Sequence, residues 1–218
     1  MSKMRIGKIF VTCLPKHFLC VGMVCVLFTH TPLFAQTAEE YYKLGSAKND
    51  LGDYAGAILD LDKAIELKPD YAQGYFARGE SKYGLENYLG AISDYSKAIE
   101  FNSDFSIPYF RRGMARAKLK DHRGAIQDFN KAILFNPKFP DAYFHRGMAK
   151  YKLINYSEAI RDFNKTIKLY PAYAKAFTYR GLSKINAGKK EEGCMDLQKA
   201  MELGDNEAAY QIKKYCEN

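Results

Sequence analysis

The side chains of this chain that could pair, ligate or bind recur at one interval. Arg78, Arg112, Arg146 and Arg180 stand 34 residues apart, and Asp60, Asp94, Asp128, Asp162 and Asp196 keep the same spacing. Guanidinium and carboxylate at such regularity suit ion pairing, because a group that returns once per repeat is framework before it is a reacting centre. Two pairing schemes are open. Within a copy, Asp60 has no arginine, since Leu44 occupies that place; forward from copy to copy, Asp60 meets Arg78, Asp94 meets Arg112, Asp128 meets Arg146, Asp162 meets Arg180 and Asp196 meets Lys214. The forward scheme uses every member, so partly buried ion pairs between neighbouring repeats are expected.

Other chemistry is sparse. There is no glycine-rich phosphate loop, no HExxH, no CxxC and no Gly-x-Ser-x-Gly elbow. Beyond the first 35 residues the only histidines are His122 and His145, each alone in its repeat, and His122 replaces the tyrosine of Tyr54, Tyr88 and Tyr156, which marks it as a packing residue. No enzyme activity, cofactor or metal is expected. Cys194 and Cys216 are the two cysteines outside the leader. In an oxidising compartment they are candidates for a disulfide; the alternative is a pair of small apolar residues, because Cys194 stands where Ile58, Ile92, Ile126 and Ile160 stand.

The elements that must position these residues follow from a second ladder. Gly45, Gly79, Gly113, Gly147 and Gly181 share the 34-residue period. Tyr75, Gly79 and Lys82 lie on one helical stripe, and Ala91, Tyr95, Ala98 and Ile99 mark the inward face of a second helix, so each unit is a helical hairpin. Asp53, Asn87, Asp121 and Asn155 can cap the second helices, and Pro69, Pro137 and Pro171 end them, with Ser103 in the proline place of the second copy. Two helices approach closely where one presents almost no side chain, so each glycine should face a large residue such as Phe129 or Phe163.

This period and pattern resemble the tetratricopeptide repeat. Its signature roles fall on Tyr41, Gly45, Ala57, Leu61, Ala64 and Pro69 in the first copy and on Tyr143, Gly147, Ala159, Phe163, Thr166 and Pro171 in the fourth. The arginines before the glycines depart from the family pattern, as do Lys48, Lys82, Arg116, Lys150 and Lys184, which take the place of an aromatic. The resemblance implies an all-α, right-handed α-solenoid. Its repeats would be 37–70, 71–104, 105–138, 139–172 and a degenerate 173–206, with 207–218 as a capping helix carrying Ala208, Ala209, Ile212 and Tyr215 inward.

The stripe on each first helix that the hairpin leaves free carries Tyr42, Phe76, Phe110 and Phe144, then Met114 and Met148, then Tyr83 and Tyr151. The resemblance implies that this face lines the concave side, where peptides or helices dock. Packing of the aromatics against neighbouring first helices is the plainer alternative. Variation at Ser46, Glu80, Met114 and Met148, set against near-invariant framework positions, favours recognition.

Charge and the first residues set the compartment. The formal charge of +8 includes Lys3, Arg5, Lys8 and Lys16, with no acidic residue before Glu39, so from Gln36 onward 29 basic side chains face 25 acidic ones. That balance is too mild for nucleic acid. The basic opening, the apolar run from Phe18 to Phe28 and the small residue Ala35 read as a signal peptide over 1–35, and membrane contact is expected only if that segment stays uncleaved. The expectation is an exported bacterial protein, periplasmic or secreted, that binds a protein or peptide partner as a scaffold. An accessory subunit of a cell-wall or polysaccharide machine, or a binder of carbohydrate or anionic polymer through the basic ladder, is the rival expectation.

Overall fold

A computed structural model of the protein describes residues 37–217; the expected leader lies outside the described residues. The described residues form eleven helices and no strand: α1 (Ala38–Asp50), α2 (Tyr54–Leu67), α3 (Ala72–Gly84), α4 (Tyr88–Phe101), α5 (Ser106–Lys118), α6 (His122–Phe135), α7 (Pro140–Lys152), α8 (Tyr156–Leu169), α9 (Ala174–Asn186), α10 (Lys190–Glu202) and α11 (Asn206–Tyr215). Each odd-numbered helix from α1 to α9 pairs with the next to make a hairpin, and the five hairpins stack as a solenoid. Among these helices none is long and apolar enough to cross a membrane.

Local chemistry sets the hairpin ends. The Asp53, Asn87 and Asp121 side chains accept from the backbone N–H three residues on, at 2.9, 3.0 and 2.9 Å, whereas Asn155 makes no such cap. Every turn inside a hairpin passes through the left-handed region at one position, occupied by Gly52, Glu86, Lys120, Ile154 and Gly188. Only the first and last copies use glycine there. A β-branched residue at Ile154, with φ of 66°, stores backbone strain of about 1–3 kcal/mol that the stacked helices on either side hold in place.

The glycine ladder works as expected. A Cβ on Gly113 would lie 2.8 Å from Phe129 Cε1, and one on Gly147 would lie 2.8 Å from Phe163 Cε1. Those two rings are fully buried, so neither can move aside without opening the core. Small residues on the second helices (Ala57, Ala91, Ala125, Ala159) are buried at the same interface and let the hairpin close. Consecutive first helices also touch, α1 with α3, α5 with α7 and α7 with α9, while no contact of that extent joins consecutive second helices. The array therefore curves toward the first-helix layer.

At the carboxyl end α11 packs on α10 and buries Ala208 against Ala200 and Phe177. Ile212 and Tyr215 are half-buried; Ala209 faces solvent, because a ten-residue helix presents only one narrow stripe to its neighbour. Cys194 in α10 and Cys216 at the end of α11 are bonded, with Cα atoms 5.9 Å apart. Closing this loop stabilises the cap by about 3 kcal/mol in the chain-entropy model.

Candidate functional site

Each arginine of the ladder grips the aspartate of its own hairpin. Arg78 donates to Asp94 at 2.9 and 2.7 Å, Arg112 to Asp128 at 3.0 and 2.7 Å, Arg146 to Asp162 at 2.9 and 2.5 Å, and Arg180 to Asp196 at 2.9 and 2.5 Å, each through Nε and Nη2. The forward pairing expected from the sequence is not formed. The hairpin register that sets Gly79 against Tyr95 also sets Arg78 beside Asp94, one residue back on both helices. Asp60, whose lack of an arginine motivated the forward scheme, is met instead by Lys48 Nζ at 2.7 Å, a charge contact that misses hydrogen-bond direction.

The lysine ladder completes the arrangement. Lys82, Arg116, Lys150 and Lys184 bring a second cation to Asp94, Asp128, Asp162 and Asp196 at 2.7, 2.9, 2.9 and 2.8 Å. Those four carboxylates are buried and doubly compensated. Asp196 is satisfied in this way, leaving Lys214 beside the Tyr215 ring. Coupling between repeats survives in the third guanidinium nitrogen: Nη1 of Arg78, Arg112, Arg146 and Arg180 reaches back to Asp62, Ser96, Asn130 and Asn164 of the preceding hairpin at 2.5, 3.0, 2.7 and 2.7 Å. For Arg78 burial alone would pull the guanidinium down, but Asp94 and Asp62 outweigh it and hold its pKa above the usual value.

The first-helix stripe divides in two. Phe110 and Phe144, expected in the groove, are core residues, only 8% and 5% exposed. The aromatic that opens the next hairpin covers each of them: Phe139 lies 4.7 Å from Phe110 and Tyr173 lies 4.8 Å from Phe144, between ring centroids. Tyr42 is covered in the same way by Tyr71, at 5.4 Å. The remaining residues stay half-buried on the concave layer. Phe76 leans on Tyr95, Tyr83 on Tyr88, and Tyr151 on Tyr156 and Tyr179, while Met114 and Met148 lie over the clusters around Phe129 and Phe163. Glu80 is tied down between them, accepting from the Tyr95 hydroxyl at 2.5 Å and pairing with Arg111 of the next hairpin at 3.0 Å.

His145 was not singled out as more than a lone histidine, yet it sits among Phe110, Phe129 and Phe144 at centroid distances of 5.5, 6.1 and 5.2 Å. Burial pulls its imidazole down to about 4; Asp141 opposes this, and Arg111 and Lys175 reinforce it. Between pH 6.5 and 4 the unfolded chain therefore binds a proton that the folded chain refuses. Stability attributable to this residue is intact above pH 6.5 and falls as pH drops to about 4. Urea titrations at pH 7 and pH 4.5 should show His145→Tyr, which copies Tyr179 of the next repeat, losing ~1–2 kcal/mol less than the parent on acidification. His122 packs in its tyrosine place with a buried Nδ1 that has no hydrogen-bond partner. Among the described residues no group of His, Cys, Asp and Glu is arranged to hold a metal ion.

Comparison with known proteins agrees with this architecture. Family models described as TPR repeat or tetratricopeptide repeat match residues 45–85, 108–139 and 141–173. Among solved structures, the chain is similar to MamA, with 24% identity over 79% of this chain and 94% of that one and a TM-score of 0.72. It is similar to YrrB, described as a TPR protein with an unusual peptide-binding site, with 24% identity over 81% of this chain and 92% of that one and a TM-score of 0.73. MamA from Desulfovibrio magneticus RS-1 gives 18% identity over 76% and 94% of the two chains and a TM-score of 0.73. A search of curated protein sequences returned no match. The models fall on the repeats that the glycine and arginine ladders mark out, and the stacking of the hairpins is shared with the solved structures: the chain is built of tetratricopeptide repeats.

Proposed function

We propose that the protein is a non-enzymatic adaptor of the cell envelope that holds an extended peptide or a helix along its concave face. One observation carries the reading: Tyr83, Met114, Met148 and Tyr151 line the first-helix layer half-buried, with no further helix layer over them among the described residues. Rigid aromatic rings and adaptable thioethers on a curved face suit a segment of mixed apolar sequence. The peptide-binding site of YrrB, a structure of the same fold, supports the same use of this architecture. Export rests on the leader and is supported by the bond between Cys194 and Cys216. The rival reading, an anionic polymer held by the basic ladder, loses its basis because those cations are already spent on buried carboxylates.

Peptides selected from a display library against the full chain test this reading. Met114→Glu combined with Met148→Glu should weaken the selected peptides at least tenfold while leaving helix content unchanged, because a carboxylate in the groove must be desolvated by an apolar ligand. Undiminished binding to the double variant would place recognition on another face. Export has its own mark: a mature mass corresponding to a chain that begins at Gln36 is expected, and an intact amino terminus in exported material would contradict cleavage after Ala35.

A further inference from the structure

One junction in the stack is incomplete. Tyr71, Phe139 and Tyr173 each open a hairpin and lay their ring on the first helix of the preceding one. Phe105 holds the same place in the repeat, but it is 56% exposed and makes no ring contact with Phe76 among the described residues. Two local departures account for this. Ser103 replaces the proline that stiffens the other loops, and Pro108 occupies the site of Gly74, Ala142 and Ala176. That site is tight: a Cβ on Gly74 would lie 3.1 Å from Tyr71 Cδ1, and Pro108 puts a pyrrolidine ring where the other junctions carry a hydrogen or a methyl group.

Beside this half-exposed ring lies a cavity of about 320 Å³, lined by Phe105 itself together with Tyr42, Gln73, Phe76, Ala98, Asn102, Ile107 and Pro108. Its walls match the surroundings of Tyr71 by repeat position. Phe76 corresponds to Tyr42, Pro108 to Gly74, Asn102 to Lys68, whose ammonium sits 5.0 Å from the Tyr71 ring, and Gln73 to Glu39, which accepts from the Tyr71 hydroxyl at 2.5 Å. Tyr173 repeats the last feature, donating to Asp141 at 2.9 Å. By repeat position the cavity thus matches the seat of Tyr71, with the exposed Gln73 amide in the place of the acceptor Glu39.

We propose that this cavity receives a tyrosine side chain of the bound partner, which docks where the chain's own aromatic sits at the other junctions and donates its hydroxyl to Gln73 Oε1. The seat adjoins the groove at Phe76, so the proposal refines the peptide-binding reading and rests on it. It adds specificity: an apolar groove accepts many sequences, whereas an acceptor beside the seat favours a ligand that can donate to it.

N-acetyl-tyrosinamide, N-acetyl-phenylalaninamide and N-acetyl-leucinamide titrated into the full chain provide the test, read by methyl NMR of Ala98 and Ile107. Ring-current shifts at both methyls are expected with the two aromatic probes and not with the leucine probe, with the tyrosine probe several-fold tighter than the phenylalanine probe. Gln73→Leu should erase that preference. Pro108→Ala, which restores the small residue of the other junctions, should let Phe105 seat itself and weaken the tyrosine probe at least tenfold. Silent Ala98 and Ile107 methyls in the parent chain, or shifts there that the leucine probe matches, would overturn the proposal, as would a Phe105 ring already seated on Phe76. Peptides that shift Met114 and Met148 without depending on tyrosine would remove the seat and leave the groove; a tyrosine probe that binds while no peptide reaches those methionines would do the reverse.

Discussion

Phe144→Ala should lower the unfolding free energy by about 3–5 kcal/mol, although it lies on the helix face that carries the groove. The ring is almost fully enclosed by Phe163, Tyr173, Tyr179 and His145, so removing it opens a cavity at the junction of two hairpins that rigid neighbours cannot close. Neighbouring residues supply the contrast. Met148→Ala, at the half-buried groove position one turn on, should cost about 1 kcal/mol, and Phe105→Ala, whose ring is more than half exposed, about 0.5 kcal/mol or less. Urea titrations of the three variants check this order. Equal costs for Phe144→Ala and Phe105→Ala would mean that the two repeat junctions are packed alike.

The second large effect belongs to the carboxylates. Asp128→Ala should destabilise by about 3–5 kcal/mol, because it leaves Arg112 and Arg116 facing each other inside the hairpin with no countercharge. Asp60→Ala should cost about 1–2 kcal/mol, since that carboxylate is more exposed and meets one lysine only. A double-mutant cycle separates pairing within a hairpin from pairing between hairpins. Arg112 and Asp128 should show a large coupling energy, and Arg146 and Asp128 almost none. The opposite result would restore the forward scheme that the sequence suggested.

How much was legible in the sequence depends on how each contact arises. The hairpins, their glycine contacts, three of the four expected caps and the carboxyl-terminal helix follow from period, residue size and capping chemistry, all of which are local. The cysteine bond was one of two alternatives, and it joins residues that antiparallel helices bring to one level. The partner of each arginine was not legible in this way, because both schemes place the two groups on neighbouring helices and only the rotation of each helix separates them. Lys48 held the clue: a cation recurring in step with the aspartates could satisfy Asp60 without Arg78. Phe110 and Phe144 were placed in the groove because stripe arithmetic on one helix cannot see Phe139 and Tyr173 arriving from the next hairpin. The next stripe position, which varies as Ser46, Glu80, Met114 and Met148, differs from them: Met114 and Met148 stay half-buried over the Phe129 and Phe163 clusters. Ser103 and Pro108, two departures close together on either side of the boundary between the second and third copies, marked the junction where packing changes.

If, as proposed, the concave layer binds and the ladders only hold it in shape, methionines on the two helix layers respond differently to a ligand. Methyl-labelled methionine tests this directly, because Met114 and Met148 lie on the first-helix layer while Met195 and Met201 lie exposed on α10, in the second-helix layer. On addition of a selected peptide, the methyl signals of Met114 and Met148 should shift together with those of Met195 and Met201 unmoved. Shifts confined to Met195 and Met201, or a saturating peptide that moves neither Met114 nor Met148, would contradict the account.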